Sequence, residues 1–258
     1  MARNLCYTGL ILRSRPSGEA NREIWLLTAE AGLIRVTVFG GPKSRLRAYA
    51  SPFHSGRVWI YHDPVKDTRK LSDFDVHSWR PGLRELYERA MAADTIAETI
   101  LASHGGGGNW EDALSIAETA LDALALADDE TCARIVMWFF WQWIDFLGLR
   151  PEFASCSSCG KATDRGAMLR FSPKEGVMIC TDCCGNETKA GIAETSPAVG
   201  PGCRHWLETV HLLTPDQLFR HTLDKPSFRE AHTLVTAILT EALGKRIAGW
   251  DHNSVNIK

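Results

Sequence analysis

The residues best suited to chemistry are thiols. In "CSSCGKATDRGAMLRFSPKEGVMICTDCC", residues 156–184, two C-x-x-C pairs, Cys156/Cys159 and Cys180/Cys183, stand twenty residues apart. A C-x-x-C turn places two thiolates on one side of a metal, and a hairpin can bring a second pair opposite. The stretch between the pairs, "AMLRFSPKEGVMIC", holds two strand-like runs around Ser172–Gly176, which is the hairpin required. The spacing therefore predicts a tetrahedral four-sulfur centre, with Zn(II) as the expected ion. Four cysteine positions leave no open vertex for a reacting water, and no glutamate is placed as a general base, so the expected role is structural. An iron–sulfur cluster could use the same thiols, but nothing around them suggests redox work. Cys184 leaves the fourth ligand's register open, with C-x-x-C geometry favouring Cys183.

A second group of residues is suited to binding rather than to bond making. In "GGPKSRLRAYASPFHSG", residues 40–56, Lys43, Arg45 and Arg47 alternate with smaller residues, and Tyr49 and Phe53 follow. Closely spaced cations neutralise phosphates and aromatic faces stack on bases, so the pattern fits a nucleic-acid backbone. The bland alternative is a solvated basic loop whose two aromatics belong to the core. Arg13, Arg15, Arg22 and Arg35 extend the basic track if they share its face. No Walker loop, dinucleotide fingerprint, G-x-S-x-G or H-E-x-x-H is present. Asp63, Asp67, Asp73 and Asp75 read as a solvated turn and sheet edge rather than as a two-metal nuclease site.

The elements that must position these groups change character near Pro81. Five short apolar runs precede it: residues 5–12, 23–32, 33–41, 57–63 and 70–79. In the third, Ile34, Val36 and Val38 alternate with Arg35 and Thr37; in the fourth, Val58 and Ile60 alternate with Arg57, Trp59 and Tyr61. Five strands with Gly/Pro-containing links predict a small curled antiparallel barrel. Beyond Pro81 the period is helical. Helices are expected over 82–104, from Asn109 as a cap through "WEDALSIAETALDALALAD", and from about Asp129 to Leu147. The third carries six aromatics between 138 and 146, too many for one face, which predicts a central, buried helix. After the cysteine segment, helices are expected near 203–213, at "TPDQLF", and over 227–247 behind a Ser227/Glu230 capping box. Cys6 and Cys132 fall in apolar patterns and read as small core residues.

Net charge is −2 overall, but residues 1–89 carry +6 and residues 90–150 carry −8. A basic block followed by an acidic one suggests different partners for the two parts. No run approaches about 18 uncharged apolar residues, so no membrane span is expected. The start lacks the pattern of a cleaved leader, which points to the cytoplasm, where clustered thiols bind metal rather than oxidise.

Three stretches together resemble the RecO family of bacterial recombination mediators. They are "GLILRSRPSGEANREIWLLTAEAGLIRVTVFGG" (9–41), "KSRLRAYASPFHSGRVWIY" (43–61), and the Cys156/Cys159, Cys180/Cys183 arrangement. The resemblance implies an α+β protein: an N-terminal OB-fold, the five-stranded barrel, over residues 1–80, then a mostly α-helical domain over 81–258. The helical domain would hold the four-cysteine zinc-binding module as an insertion at 153–190. It further implies a non-enzymatic role in DNA repair and recombination, through binding of single- and double-stranded DNA and annealing of complementary strands. RecR would be a partner, and the pair would help RecA displace single-strand-binding protein, whose C-terminal tail would dock on the helical domain. A cytoplasmic, nucleoid-associated location follows. By position, Lys43, Arg45 and Arg47 fall in the family's basic stretch, with Arg13, Arg15 and Arg22 in support. An adaptor that binds proteins and touches nucleic acid only weakly is the competing expectation.

Overall fold

The computed structural model describes residues 4–41, 44–186, 196–218 and 224–253. By its internal contacts the chain divides into two compact units, Met1–Ala127 and Asp128–Lys258.

The first unit opens with five strands: β1 (Asn4–Ser17), β2 (Asn21–Thr28), β3 (Gly32–Val38), β4 (Ser55–Asp63) and β5 (Thr68–Ser78). They close in the order β1-β2-β3-β5-β4, with β4 returning to β1. This is the expected five-stranded barrel, antiparallel except where β3 meets β5 in parallel at Thr37↔Lys70. Closure depends on the length of β1, whose first half pairs with β4 and second half with β2, with a register shift between Ile11 and Arg13. A bulge of that kind bends one strand far enough to serve two neighbours. Apolar patterning marks only residues 5–12 of β1, because the polar segment Arg13–Ser17 shows no alternation. Its partner β2 holds it through the strand ladder.

Alternation sets the barrel interior. Ile24 and Leu26, Val36 and Val38, Val58 and Ile60 all point inward and are buried, joined by Ile11, Leu71 and Phe74. Alternation fails at Leu10–Leu12 and again at Leu26–Leu27, where consecutive side chains are all buried. The cause is a second layer: helices α2 (Tyr87–Ala102) and α3 (Trp110–Leu124) pack on the outside of β1 and β2. A short helix α1, Arg45–Tyr49, stands between β3 and β4 where the sequence suggested a loop, and Leu46 and Tyr49 pack against the barrel core. Asn109 caps α3 as expected, its side chain accepting from Asp112 N. At the other end Arg89 donates to the Ala125 and Ala127 carbonyls, which have no partner within the helix.

The β2–β3 hairpin turns at Gly32, with φ of 66°. A Cβ there would lie 2.6 Å from the Trp110 ring. Both the left-handed backbone and the close approach require glycine. Replacing Gly32 with Ala is expected to cost about 2–4 kcal/mol, summing left-handed strain and overpacking. Urea denaturation checks this: a loss below about 1 kcal/mol would mean that Trp110 moves aside freely.

The second unit is built on α4 (Asp129–Phe146), capped by the Asp128 side chain through Thr131 N. Trp138, Phe139, Phe140, Trp141 and Trp143 are all buried, so the aromatic run is core. Helices α6 (Pro201–His211), α7 (Pro215–Leu218) and α8 (Lys225–Leu243) surround it, and Trp138 Nε1 donates to Leu213 O at 2.9 Å. The short α9, Ala248–Asn253, adds Trp250, edge-on to Phe140 at 4.7 Å. The start of α8 differs from expectation. Its cap is Asp224, whose carboxylate accepts from Ser227 N, and Pro226 lies in its first turn. Glu230 instead accepts from Gly200 N at 2.8 Å, tying α8 to the start of α6. Between α4 and α6 lie the strands β6 (Leu169–Ser172), β7 (Val177–Cys180) and β8 (Ala198–Val199), with a helical turn α5 (Thr181–Asn186). No helix among the described residues is long and apolar enough to cross a membrane.

Candidate metal centre and basic barrel surface

The cysteine pairs are brought together by the hairpin between them. Strands β6 and β7 pair from Leu169↔Cys180 to Ser172↔Val177, turning at Gly176 with φ of 71°. The first pair sits in a tight knuckle: Gly160 N donates to Cys156 O at 2.8 Å and Cys156 N to Lys161 O at 2.9 Å. Gly160 follows Cys159 with φ of 70°, a conformation that lets the chain double back. Ser157 N reaches across to Met178 O at 3.0 Å, which seats the knuckle on β7. The second pair spans the end of β7 and the first turn of α5, so Cys183 returns to the side of Cys180.

The sulfur atoms of Cys156, Cys159, Cys180 and Cys183 all lie within 4.8 Å of one another. Cys159 and Cys180 are 4.0 Å apart, Sγ to Sγ. Four thiolates at about 2.3 Å from one Zn(II) would stand roughly 3.8 Å apart, so the observed spacing fits a tetrahedral ion closely. Cys184 is not in the cluster, and among the described residues no other group of three or more His, Cys, Asp or Glu side chains converges in this way.

The electrostatics of the thiols would suit a cation. Burial pushes the Cys156 thiol up, but backbone N–H groups, first that of Cys180, overcome it and bring its pKa down to about 6. Ser158 favours the Cys183 thiolate, yet the neighbouring Cys180 and Cys159 sulfurs hold it protonated, raised to about 12. One thiolate is welcome in this nest and a fourth is not; a divalent ion removes the conflict. The cluster is joined to the helices through Arg204 of α6. Its Nη2 donates to the carbonyls of Asp164, Arg165 and Ala167 at 2.7–3.1 Å, fixing the loop between the first knuckle and β6. Cys203, next to it, is buried and its thiol is pushed up by that burial, which makes it an inert core residue.

The basic residues are placed in two groups rather than in one track. Arg45 and Arg47 are on α1, and Arg45 folds over Tyr49, its Nε donating to Tyr49 Oη at 2.6 Å. Arg45 and Tyr49 line a cavity with Trp59 and with two carboxylates, Asp73 and Asp75. Phe53 is buried, so it is not a stacking surface. Lys43 lies outside the described residues. Arg13 and Arg35 line a different cavity, with Trp25 between them and Arg69 of β5 beside them. Arg15 is exposed near the end of β1, and Arg22, paired in register with Pro16, donates to Ser14 Oγ at 3.4 Å. Among the described residues none of these six arginines makes a direct ion pair; the ion-paired cations are others, such as Arg69, Arg80, Arg89 and Arg150. Sequence reasoning missed Trp25 and Arg69. The signal for Trp25 was present, since Ile24 and Leu26 point inward and the residue between them must point out.

With this geometry in hand, comparison with known proteins is informative at both ends of the chain. Residues 1–78 match the family model described as Recombination protein O N terminal, and residues 84–251 match Recombination protein O C terminal. The chain is similar to the DNA repair protein RecO of Desulfitobacterium hafniense, with 29% identity over 84% of this chain and 74% of that one. It is 30% identical to the Rubrobacter xylanophilus protein of the same name over 68% of this chain and 69% of the relative. The Heliobacterium modesticaldum protein is 24% identical over 93% of this chain and 84% of its own length.

Proposed function

This chain belongs to the RecO family and so has a role in DNA repair and recombination; from that premise we propose that it is a non-enzymatic recombination mediator. It binds single- and double-stranded DNA, anneals complementary strands and, with RecR, helps RecA displace single-strand-binding protein in the cytoplasm at the nucleoid. The tail of single-strand-binding protein docks on the helical domain, residues 81–258. The observation that carries the reading is the barrel surface, where Arg13 and Arg15 of β1 and Arg35 of β3 share the outer face with Trp25, and Arg45 and Arg47 stand on α1, without direct ion pairs among the described residues. Such a surface holds phosphates through interactions blind to sequence, as annealing any two complementary strands demands. Annealing needs no covalent step: it requires two strands concentrated on one surface with their base edges free.

The metal centre is Zn(II), held by Cys156, Cys159, Cys180 and Cys183. A four-thiolate zinc offers charge neutralisation and cross-linking and nothing reactive. The residues around it do the rest: backbone N–H groups support the Cys156 sulfur and Arg204 anchors the loop.

A strand-annealing assay, with and without single-strand-binding protein on the strands, tests the reading. Acceleration on both substrates is the expected result; absence of DNA binding at low salt, with partner binding intact, would replace the mediator with an adaptor. Within the same experiment, changing Lys43, Arg45 and Arg47 together to Ala is expected to weaken binding to every sequence alike. The log–log salt slope on single strands should fall by about 0.7 for each phosphate that is no longer neutralised, or about 2 in all. An unchanged slope in the folded triple variant would remove α1 from the interface.

A further inference from the structure

The register of the barrel builds a feature that the charge pattern does not announce. Arg13 pairs with Trp25 across β1–β2, and Trp25 pairs with Arg35 across β2–β3. Three strands thus place a cation, an indole and a cation in one row on the outer face. The row lines a cavity of about 550 Å³ together with Arg69 from β5, and Leu101 and His104 at the end of α2 close it on the helical side. Arg15 lies with its guanidinium carbon 5.5 Å from the centre of the Trp25 ring. Three acids stand near: Glu23 is in register with Arg15 on the same outer face, Asp67 pairs with Arg69 at 3.4 Å, and Asp94, whose carboxyl burial holds above its ordinary range, lies near enough to Arg13 to be drawn part of the way back.

We propose that this cavity is a single-strand subsite, in which one unpaired base stacks on Trp25 while Arg13, Arg35 and Arg69 hold the flanking phosphates. The proposal rests on the DNA-binding reading above and narrows it to a substrate: a strand whose bases are free. The cavity is concave and walled on one side by Leu101 and His104, so a base must leave its stack to enter. Duplex bases are stacked and paired and offer only phosphates to the rim. Arg15 is exposed, and it can swing to cover the second face of a base seated on the indole. The α1 arginines contribute charge to both kinds of DNA; Trp25 contributes to one.

Fluorescence anisotropy with a labelled oligo(dT) and with a blunt duplex, on the full chain, tests this. Trp25→Ala is expected to weaken single-strand binding by roughly 5- to 150-fold, the range for loss of one base–aromatic stack. Duplex affinity should stay within about twofold, since phosphate neutralisation is untouched. Trp25→Phe, which keeps a ring, should recover most of the loss, and it guards against a merely misfolded alanine variant. A 5-iododeoxyuridine oligonucleotide, irradiated in the complex, should crosslink to the peptide that contains Trp25. Equal losses on both substrates, no rescue by Phe, or crosslinks confined to other peptides would overturn the subsite while leaving DNA binding in place. If the unmodified chain binds neither DNA, the parent reading fails instead.

Discussion

A chain carrying Cys156→Ser and Cys180→Ser together is expected to lose its metal and, with it, the fold of the segment from Phe153 to Cys184. The substitution nearly preserves shape, so the loss isolates the sulfur–metal bonds. The segment has little else to hold it. Its strands are four residues each, and its buried apolar side chains are few: Phe153, Leu169, Phe171, Met178 and Ile179. Such a ribbon cannot cover the conformational entropy of its own ordering, and in small zinc modules the metal supplies an apparent 10–16 kcal/mol, roughly, at neutral pH. Metal content by mass spectrometry should fall from one ion per chain to none. Hydrogen exchange should lose protection across β6 and β7 and in β8, which pairs with β6. The core of α4 should keep its protection, because its packing runs to α6, α7 and α8. A Cys184→Ser chain should retain the metal, since that sulfur is outside the cluster. Full protection of β6 and β7 in the metal-free double variant would mean that packing, not the ion, holds the ribbon.

How much of this was legible follows from how local each signal is. The cysteine knuckles were readable because C-x-x-C fixes its own turn, and because Gly160 and Gly176 stand where the chain must reverse. The barrel strands were readable where one face is buried and the other wet, as in Ile34–Val38. What was not readable is that α2 and α3 cover the outside, so that Leu10, Ile11 and Leu12, within a run read as a strand, are all buried together. That burial depends on helices far along the chain from β1. The start of α8 shows a different limit: Asp224 and Ser227 both have capping chemistry, and only Pro226, which is at home in a helix's first turn, separates them. The basic residues were identifiable as a set but not as two groups, since strand register, rather than spacing along the chain, puts Trp25 between Arg13 and Arg35. The expected stacking residues were local neighbours of the cations, Tyr49 and Phe53. Of these, Phe53 is buried and Tyr49 is partly drawn into the barrel core.

Arg80 illustrates what no spacing rule could reveal, and removing it carries the second large effect. It is 6% exposed, with a left-handed backbone (φ 45°) just after β5. Its Nη1 donates to Phe53 O at 2.8 Å and Ser55 Oγ at 2.9 Å, where β4 begins, and its Nε meets Asp122 of α3 at 2.6 Å. Glu118 lies 3.7 Å from Nη2. One guanidinium therefore joins the entry to β4 to the helix packed outside the barrel. Phe53 itself has φ of 70°, a strained turn whose carbonyl has this arginine as its donor. Arg80→Ala is expected to destabilise the chain by about 2–4 kcal/mol, because it strands a carbonyl and a hydroxyl away from water at roughly 1–3 kcal/mol each. The carboxylates contribute less. The Asp122 side chain is 59% exposed, so Asp122→Ala should cost under about 1 kcal/mol. Arg80→Lys, with one compact charge in place of a fork, should recover only part of the loss. Urea denaturation of the three variants separates the explanations. If Asp122→Ala costs as much as Arg80→Ala, the ion pair holds this corner of the barrel; if it costs far less, the two buried acceptors at the start of β4 do.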